Sequence, residues 1–288
     1  MSTQSIQKIT NDNPYFPKDL QHITPMPTCL YVQSKQWRQL LQKPRLAIVG
    51  SRKISSYGKE ITARITRELA QAGVVIISGL AYGVDSVAHR STLEVGGLTI
   101  AVLPAGLSTI YPSSHHQLAR QIVEQGGALV TEHDASIPIY KSSFVERNRI
   151  VAGLAQVLLV TEAVEKSGTF HTVRFALEQG KDVLAVPGNI TSPGSVGTNN
   201  LIKSGATPVT SSADVLAALG LQTKPQRKIT SSDPQQQSLL DLLEQGALSS
   251  QQLQQQSKLS SADFQQALTM LEIEGSIRPI GNAIWCRQ

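Results

Sequence analysis

Aromatic side chains make up only 5% of this 288-residue chain, too few for a surface built mainly of base-stacking rings. Cysteine is nearly absent: Cys29 and Cys286 lie near opposite ends and match no metal or redox spacing, so a reducing compartment is the expected setting. Apolar runs are short. Leu154–Val160 is interrupted and falls far below the roughly 20 residues of a membrane span. The N-terminal stretch holds no basic segment leading into an apolar one, the mark of a secretory signal. A soluble, cytoplasmic protein with no membrane partner is the expectation. The nucleotide fingerprints are missing too. After the first strand, Gly50-Ser51-Arg52-Lys53-Ile54-Ser55-Ser56-Tyr57-Gly58 lacks the second and third glycines of G-x-G-x-x-G, and no P-loop occurs. NAD and ATP are therefore poor readings, and no cofactor is expected. None of the six histidines pairs with a second ligand at zinc-site spacing, so no metal is expected. No G-x-S-x-G nucleophile turn occurs, and no residue is assigned a catalytic role.

What the chain does have is 40% hydrophobic residues, enough to bury a core. Its 26 Lys and Arg stand against 21 Asp and Glu, a formal net charge of +5. Residues 221–288 hold six of each sign, which leaves 20 basic against 15 acidic before them. An anionic partner should therefore touch the first part of the chain.

Residues 1–44 read as an irregular segment packing on the core, because Pro14, Pro17, Pro25, Pro27 and Pro44 discourage helix. Gln33–Gln42 fits one short helix. Apolar runs then recur at Leu46–Val49, Val74–Ile77, Thr99–Leu103, Ala128–Val130, Val157–Val160, Val183–Val186 and Pro208–Val209. Helix-length stretches separate the first six, one patterned by Ile61, Ile65, Leu69 and Ala72. Strands apolar throughout and alternating with helices indicate a parallel sheet covered on both faces. Residues 45–220 are thus expected to form one doubly wound, mostly parallel α/β domain of extended Rossmann-like type. A polar linker at 221–234 leads into residues 235–288, whose pattern of three helices and a hairpin around Gly281–Asn282 is the order of a winged helix.

In an open parallel sheet, ligands bind outside the carboxyl ends of the strands. Small residues lie at those ends here: Gly50-Ser51-Arg52 after the first, Ser78-Gly79-Leu80-Ala81-Tyr82-Gly83-Val84-Asp85 after the second, and Ser167-Gly168-Thr169 beyond the fifth. Such turns can cradle a phosphate; equally, any doubly wound protein needs small residues there. Lys141, Phe144 and Arg147 are spaced i, i+3, i+6. On a helix they form a stripe of two cations and an aromatic ring, an arrangement suited to sequence-blind single-strand binding. The alternative is a solvated helix end with Phe144 in the core. Arg147 and Arg149 cannot point the same way, so one of them is expected in a buried structural pair. Asp85 and His89, at i, i+4, read as helix capping or packing.

These motifs, with Ala88-His89, Ile110-Tyr111-Pro112, Phe144 to Leu154 (with Arg147-Asn148-Arg149 inside), Glu162-Ala163, Ala185-Val186-Pro187-Gly188 and Gly197-Thr198-Asn199, resemble in order those of the DNA-processing protein A family (DprA, also called Smf). The resemblance covers about residues 14–220, and the winged-helix tail fits a common appendage of the family. It implies a cytoplasmic single-stranded DNA-binding protein of natural transformation and recombination (competence). Such a protein protects incoming strands, helps load the RecA recombinase, displaces single-strand-binding protein and acts as a homodimer. By position, Gly50, Ser51 and Arg52 would grip a phosphate. Ser167, Gly168 and Thr169 would cradle a second one. Lys141 and Phe144 match a cation and a stacking aromatic ahead of Arg147 and Asn148.

Three features depart from the family pattern. Ser113 and Ser114 stand where many members have a basic residue after Tyr-Pro. The 44 residues before the core leave no room for a helical sterile-alpha-motif domain. The third tail helix, Ser260–Gly275, carries Asp263, Glu272 and Glu274 but no Lys or Arg, so it suits protein binding or regulation better than duplex reading. A rival reading is a nucleotide phosphoribohydrolase of lysine-decarboxylase-like fold. Those enzymes use a Glu shortly after a Gly-Thr pair, and Gly168-Thr169-Phe170-His171-Thr172-Val173 has no carboxylate.

Overall fold

The computed structural model describes residues 6–135, 137–221, 231–244, 246, 248–281 and 283–287. These fall into two compact units, one up to Leu221 and one from Ser231. Most of the expected linker, residues 222–230, lies outside the described residues, as does Asn282 of the expected hairpin turn.

In the first unit the elements follow in the order β1 (Gln7–Thr10), β2 (Cys29–Gln33), α1 (Trp37–Gln42), β3 (Arg45–Val49), α2 (Ser56–Gln71), β4 (Val75–Ser78), α3 (Val84–Glu94), β5 (Thr99–Val102), α4 (His116–Glu124), β6 (Ala128–Thr131), α5 (Lys141–Leu154), β7 (Val157–Val160), α6 (Thr169–Glu178), β8 (Asp182–Ala185), α7 (Val196–Lys203), β9 (Thr207–Pro208) and α8 (Ser212–Ala218). The strands form one nine-stranded sheet in the order β1-β2-β6-β5-β4-β3-β7-β8-β9. It is parallel from β6 to β9 and antiparallel where β2 meets β6 and β1 meets β2.

All seven apolar runs of the sequence are strands. The first 44 residues depart from expectation: they supply β1 and β2, which extend the sheet beyond β6. The reason is an alternation too short to outweigh the prolines when read locally. Ile9, Leu30 and Val32 face inward while their neighbours face out, and Pro14, Pro17, Pro25 and Pro27 fall in the connection between the strands. The short helix starts only at Trp37, because Gln33 ends β2 and the Ser34 hydroxyl accepts the Gln36 N–H in a turn.

Alternate residues of each central strand serve opposite faces. Ala47 and Val49 of β3 pack with Ile150, Val151 and Leu154 of α5 and Val173 of α6. Leu46 and Ile48 pack with Ile61, Ile65 and Leu69 of α2 and Val84 of α3. The chain runs β3, β4, β5, β6 in one direction across the sheet and resumes at β7 on the other side of β3. The switch point between β3 and β7 leaves an opening at the carboxyl ends of these two strands, the place where doubly wound sheets bind ligands.

The second unit holds α9 (Pro234–Glu244), β10 (Leu248–Ser249), α10 (Ser250–Ser257), α11 (Ser261–Ile273), β11 (Ile277–Gly281) and β12 (Ile284–Arg287). Its strands pair in the order β10-β12-β11, and Leu239, Leu243, Leu253, Phe264 and Leu271 form its core. This is a winged helix. Among the described residues no helix is long and apolar enough to cross a membrane.

One buried group makes the first unit sensitive to acid. His89 of α3 is fully buried. Thr99 Oγ1 donates to the Ile76 carbonyl, so His89 Nδ1–H must donate to Thr99 Oγ1 at 2.7 Å. That leaves Nε2 buried with no hydrogen-bond partner. Burial, reinforced by the charges of His115 and Arg147, lowers the His89 pKa to about 3. The unfolded chain takes up this proton near pH 6.5 and the folded chain does not. Stability is therefore whole above about pH 6.5 and is lost as pH falls toward 3, by up to roughly 1.4 kcal/mol per pH unit. Denaturant unfolding of wild type and His89→Gln between about pH 7 and 4.5 should show the shallower loss in the variant; equal slopes would exclude the role given to His89.

Candidate nucleic-acid interface

The turn after β3 is built by contacts with both neighbouring loops. Ser51 N–H donates to the Glu162 carbonyl beyond β7 at 2.8 Å, and Val84 N–H at the start of α3 donates to the Ser51 carbonyl at 3.1 Å. Gly50 lies so close that a methyl group there would sit 2.6 Å from the Glu162 carbonyl oxygen. The Ser51 hydroxyl accepts from Lys53 N–H and donates to the Lys53 carbonyl. Gly50 and Ser51 thus shape the turn, and Arg52 and Lys53, both exposed, project from it. Glu162 is buried and turns away: its carboxylate accepts from the N–H and hydroxyl of Ser55, the N-cap of α2, where a negative charge is favoured.

Helix α5 brings the second half of the site. Phe144, half-buried, faces Arg52, whose guanidinium carbon lies 5.7 Å from the ring centroid, within cation–π range. Tyr111 meets the same ring edge-on at a centroid distance of 5.0 Å. The helix is held by Arg147, which is only 4% exposed. Its Nη1 donates to the Gly79 carbonyl at 2.6 Å and to the Val102 carbonyl, at the ends of β4 and β5. This corrects the exposed stripe expected from spacing: Arg147 is buried, with Nη1 committed to two carbonyls and Nε to Asn148 Oδ1. Arg149 is buried as well and pairs with Glu132, so both arginines are structural, not one.

Burial pulls the Arg147 pKa down to about 10, opposed by Asp85 and aided by Arg52; it stays charged at neutral pH. Asp85 moves the other way. Burial raises its pKa, while the Arg147 charge and the N–H groups of Ala81 and Gly79 hold the carboxylate form. The same carboxylate fixes the loop around Leu80, which is fully buried in the left-handed region at φ 58°. His115 Nδ1–H donates to the Leu80 carbonyl at 2.8 Å, so three hydrogen bonds from two side chains together enforce a conformation a leucine disfavours.

The cleft between these loops has a volume of about 400 Å³. It gathers Gly50, Ser51, Arg52, Phe144, Arg147, Asn148, Ser167, Gly168 and Thr169. Lys141 is exposed at the first turn of α5 but does not line it. Asn148 Oδ1 accepts from Arg147 Nε. The Ser167 hydroxyl accepts the Thr169 N–H at 3.2 Å and donates to the Thr169 hydroxyl at 2.8 Å, so the two side chains close on each other at the start of α6. Lys53, Lys166 and His171 also line the cleft and are exposed; sequence reasoning missed them, though two of the three adjoin the motifs it used. Among the described lining residues Asp85 is the one carboxylate, and two backbone N–H groups already occupy it.

Chemically, the site is a cationic cleft with one presented aromatic ring, at the switch point of a doubly wound sheet, in a chain that ends in a winged helix. The family model for DNA recombination-mediator protein A matches residues 7–220, and the DprA winged-helix model matches 223–281. The chain belongs to the DNA recombination-mediator protein A family. Protein Smf of Escherichia coli (strain K12) is 44% identical over 211 residues, 73% of this chain and 56% of that protein. The DNA processing protein DprA of Bacillus subtilis (strain 168) is 35% identical over 232 residues, 80% of this chain and 75% of that protein. The match spans little more than half the length of the Smf proteins of E. coli and Synechocystis, at 56% and 54%. Among solved structures, Streptococcus pneumoniae DprA superposes with a TM-score of 0.69 at 37% identity, covering 74% of each chain. Helicobacter pylori DNA processing protein A, described for its single-stranded DNA binding mode, gives 0.66 at 32% identity, covering 75% of this chain and 97% of that one.

Gly83 offers a structural test of the cleft. It has φ 75°, and a methyl group there would overlap the Ser51 carbonyl oxygen. Gly83→Ala should cost about 1–3 kcal/mol in backbone strain and displace the turn bearing Arg52. A thermal melt unchanged from wild type would contradict this packing.

Proposed function

We propose that the chain binds single-stranded DNA without sequence specificity, reading no base edges, through the cleft at the β3–β7 switch point, and that it does so without catalysis or a cofactor. The observation that carries this reading is the Arg52 guanidinium lying over the Phe144 ring, with Lys53 and Lys166 exposed on the same cleft. Cations track a phosphate backbone and a presented ring takes a base, which together need no base-edge contact. The cleft's one carboxylate is committed to N–H groups of its own chain, an arrangement that favours binding over hydrolysis of a glycosidic bond. Family membership and the single-stranded DNA binding mode of the H. pylori relative support the same reading.

In the cell, the bound strand would be protected and passed to the RecA recombinase, with single-strand-binding protein displaced, during natural transformation or recombination. The protein would work as a homodimer in the cytoplasm. Lys141, one helical turn before Phe144, would meet the strand where it leaves the cleft. Ser167, Gly168 and Thr169 would serve a second phosphate at the start of α6, where the Ser167 and Thr169 hydroxyls and the Thr169 N–H must first release one another. The winged helix has another role. Helix α11 has no Lys or Arg and exposes Met270, Glu272 and Ile273, with Glu274 exposed at its C-cap, a surface suited to a protein partner.

Arg52→Ala should weaken binding of single strands of any sequence and reduce the slope of log affinity against log salt by about one phosphate's worth, roughly 0.7. Phe144→Ala should cost about 1–3 kcal/mol of binding with the salt slope unchanged. Fluorescence titrations across a salt series read both. An Arg52→Ala slope equal to wild type would remove the phosphate contact. A Phe144→Ala variant that unfolds on a melt would return the ring to the core.

A further inference from the structure

Aromatic residues are scarce in the chain, yet several of them gather at one rim. Tyr82, in the β4–α3 loop, is 50% exposed, and Tyr111, in the β5–α4 loop, is 47% exposed. Tyr111 touches Phe144 at a ring-centroid distance of 5.0 Å with an interplanar angle of 72°. Three residues further on, the Ser114 hydroxyl lies 3.1 Å from the Tyr82 hydroxyl. Arg52, Phe144 and Tyr111 are thus joined by contacts, and the chain from Tyr111 to Ser114 links them to Tyr82. The segment from Leu103 to His116 contains no Lys or Arg, and His115 is buried against the Leu80 carbonyl.

We propose that Tyr111 is a second base platform beside Phe144, and that this pair accepts only bases that have left their own stack. The inference rests on the function proposed above and names how the same site selects its strand. Two rings inclined at 72° cannot both be covered by neighbouring bases that remain parallel. A strand covering both must turn between two successive bases. A duplex cannot do so without melting. An oligo-dA strand must give up its own base stacking, whereas oligo-dT has little to lose. Because the Leu103–His116 segment that carries Tyr111 brings no Lys or Arg of its own, what Tyr111 adds is stacking, independent of salt.

The test is an anisotropy titration of the full chain with labelled oligo-dT and oligo-dA at several salt concentrations. Wild type should bind oligo-dT more tightly than oligo-dA. Tyr111→Ala should weaken oligo-dT binding by roughly 5- to 150-fold, by the same factor at every salt concentration, while Tyr111→Phe keeps wild-type affinity. Tyr111→Leu, which retains apolar packing against Phe144 but offers no π face, should bind as weakly as Tyr111→Ala. Full affinity in the leucine variant would overturn the proposal, as would a loss that grows at low salt or a loss in Tyr111→Phe equal to that in Tyr111→Ala. If Arg52→Ala loses binding while Tyr111→Leu keeps it, the function stands and this inference fails. If wild type binds neither strand, both fall.

Discussion

The rim of the cleft depends on one buried cation. Arg147 sits among the ends of β4 and β5, where desolvation alone would expel a charged side chain. It stays because the Gly79 and Val102 carbonyls accept its N–H groups and Asp85 supplies a nearby negative charge. Asp85 in turn binds the Gly79 and Ala81 N–H groups and holds the loop that carries Tyr82. One pair of opposite charges thus ties α5, β4, β5 and the β4–α3 loop together. Removing either partner leaves the other buried with its hydrogen bonds but without the opposing charge. Phe144 belongs to the helix that Arg147 pins, so the position of this half-buried ring is set by a side chain that is itself almost entirely buried.

The division of labour among the cations follows from this. Arg147, Arg149 and Arg45 are buried and serve the fold. Arg52, Lys53 and Lys166 are exposed on the cleft and are available to an anion. A net charge of +5 says little about binding, because it weighs these two groups alike. The local arrangement is more telling: three exposed cations, one occupied carboxylate and an aromatic ring already within 5.7 Å of a guanidinium.

Much of this was legible in the sequence, for reasons tied to particular residues. Six of the strands announce themselves because their runs are apolar on both faces, whereas β9 is two exposed residues at the sheet edge. The alternation of strands with helices gives the parallel sheet, and the switch point comes from the strand order that the fold supplies. The edge strand β1 and its neighbour β2 do not announce themselves. They have four and five residues, with only Ile9, Leu30 and Val32 buried, and the prolines of the connection between them argue against regular structure. At the site, the Gly50-Ser51-Arg52 turn and the Lys141–Phe144 spacing are local signals and could be read directly. The fate of Arg147 could not, since Gly79 and Val102 are distant in the chain and only the fold brings them to it. Scarce aromatics argued against a base-stacking surface. That average hides the gathering of Tyr82, Tyr111 and Phe144 at the ends of three neighbouring elements.

The central claim is that this cleft takes a flexible single strand by its phosphates and an unstacked base. The most direct measurement is a competition between single-stranded and duplex DNA of the same sequence for the full-length chain at fixed, near-physiological salt. The account predicts that unlabelled single strand displaces a labelled single strand efficiently and that duplex does so poorly. Equal displacement by duplex would contradict it, and so would binding that oligonucleotides of either kind fail to compete.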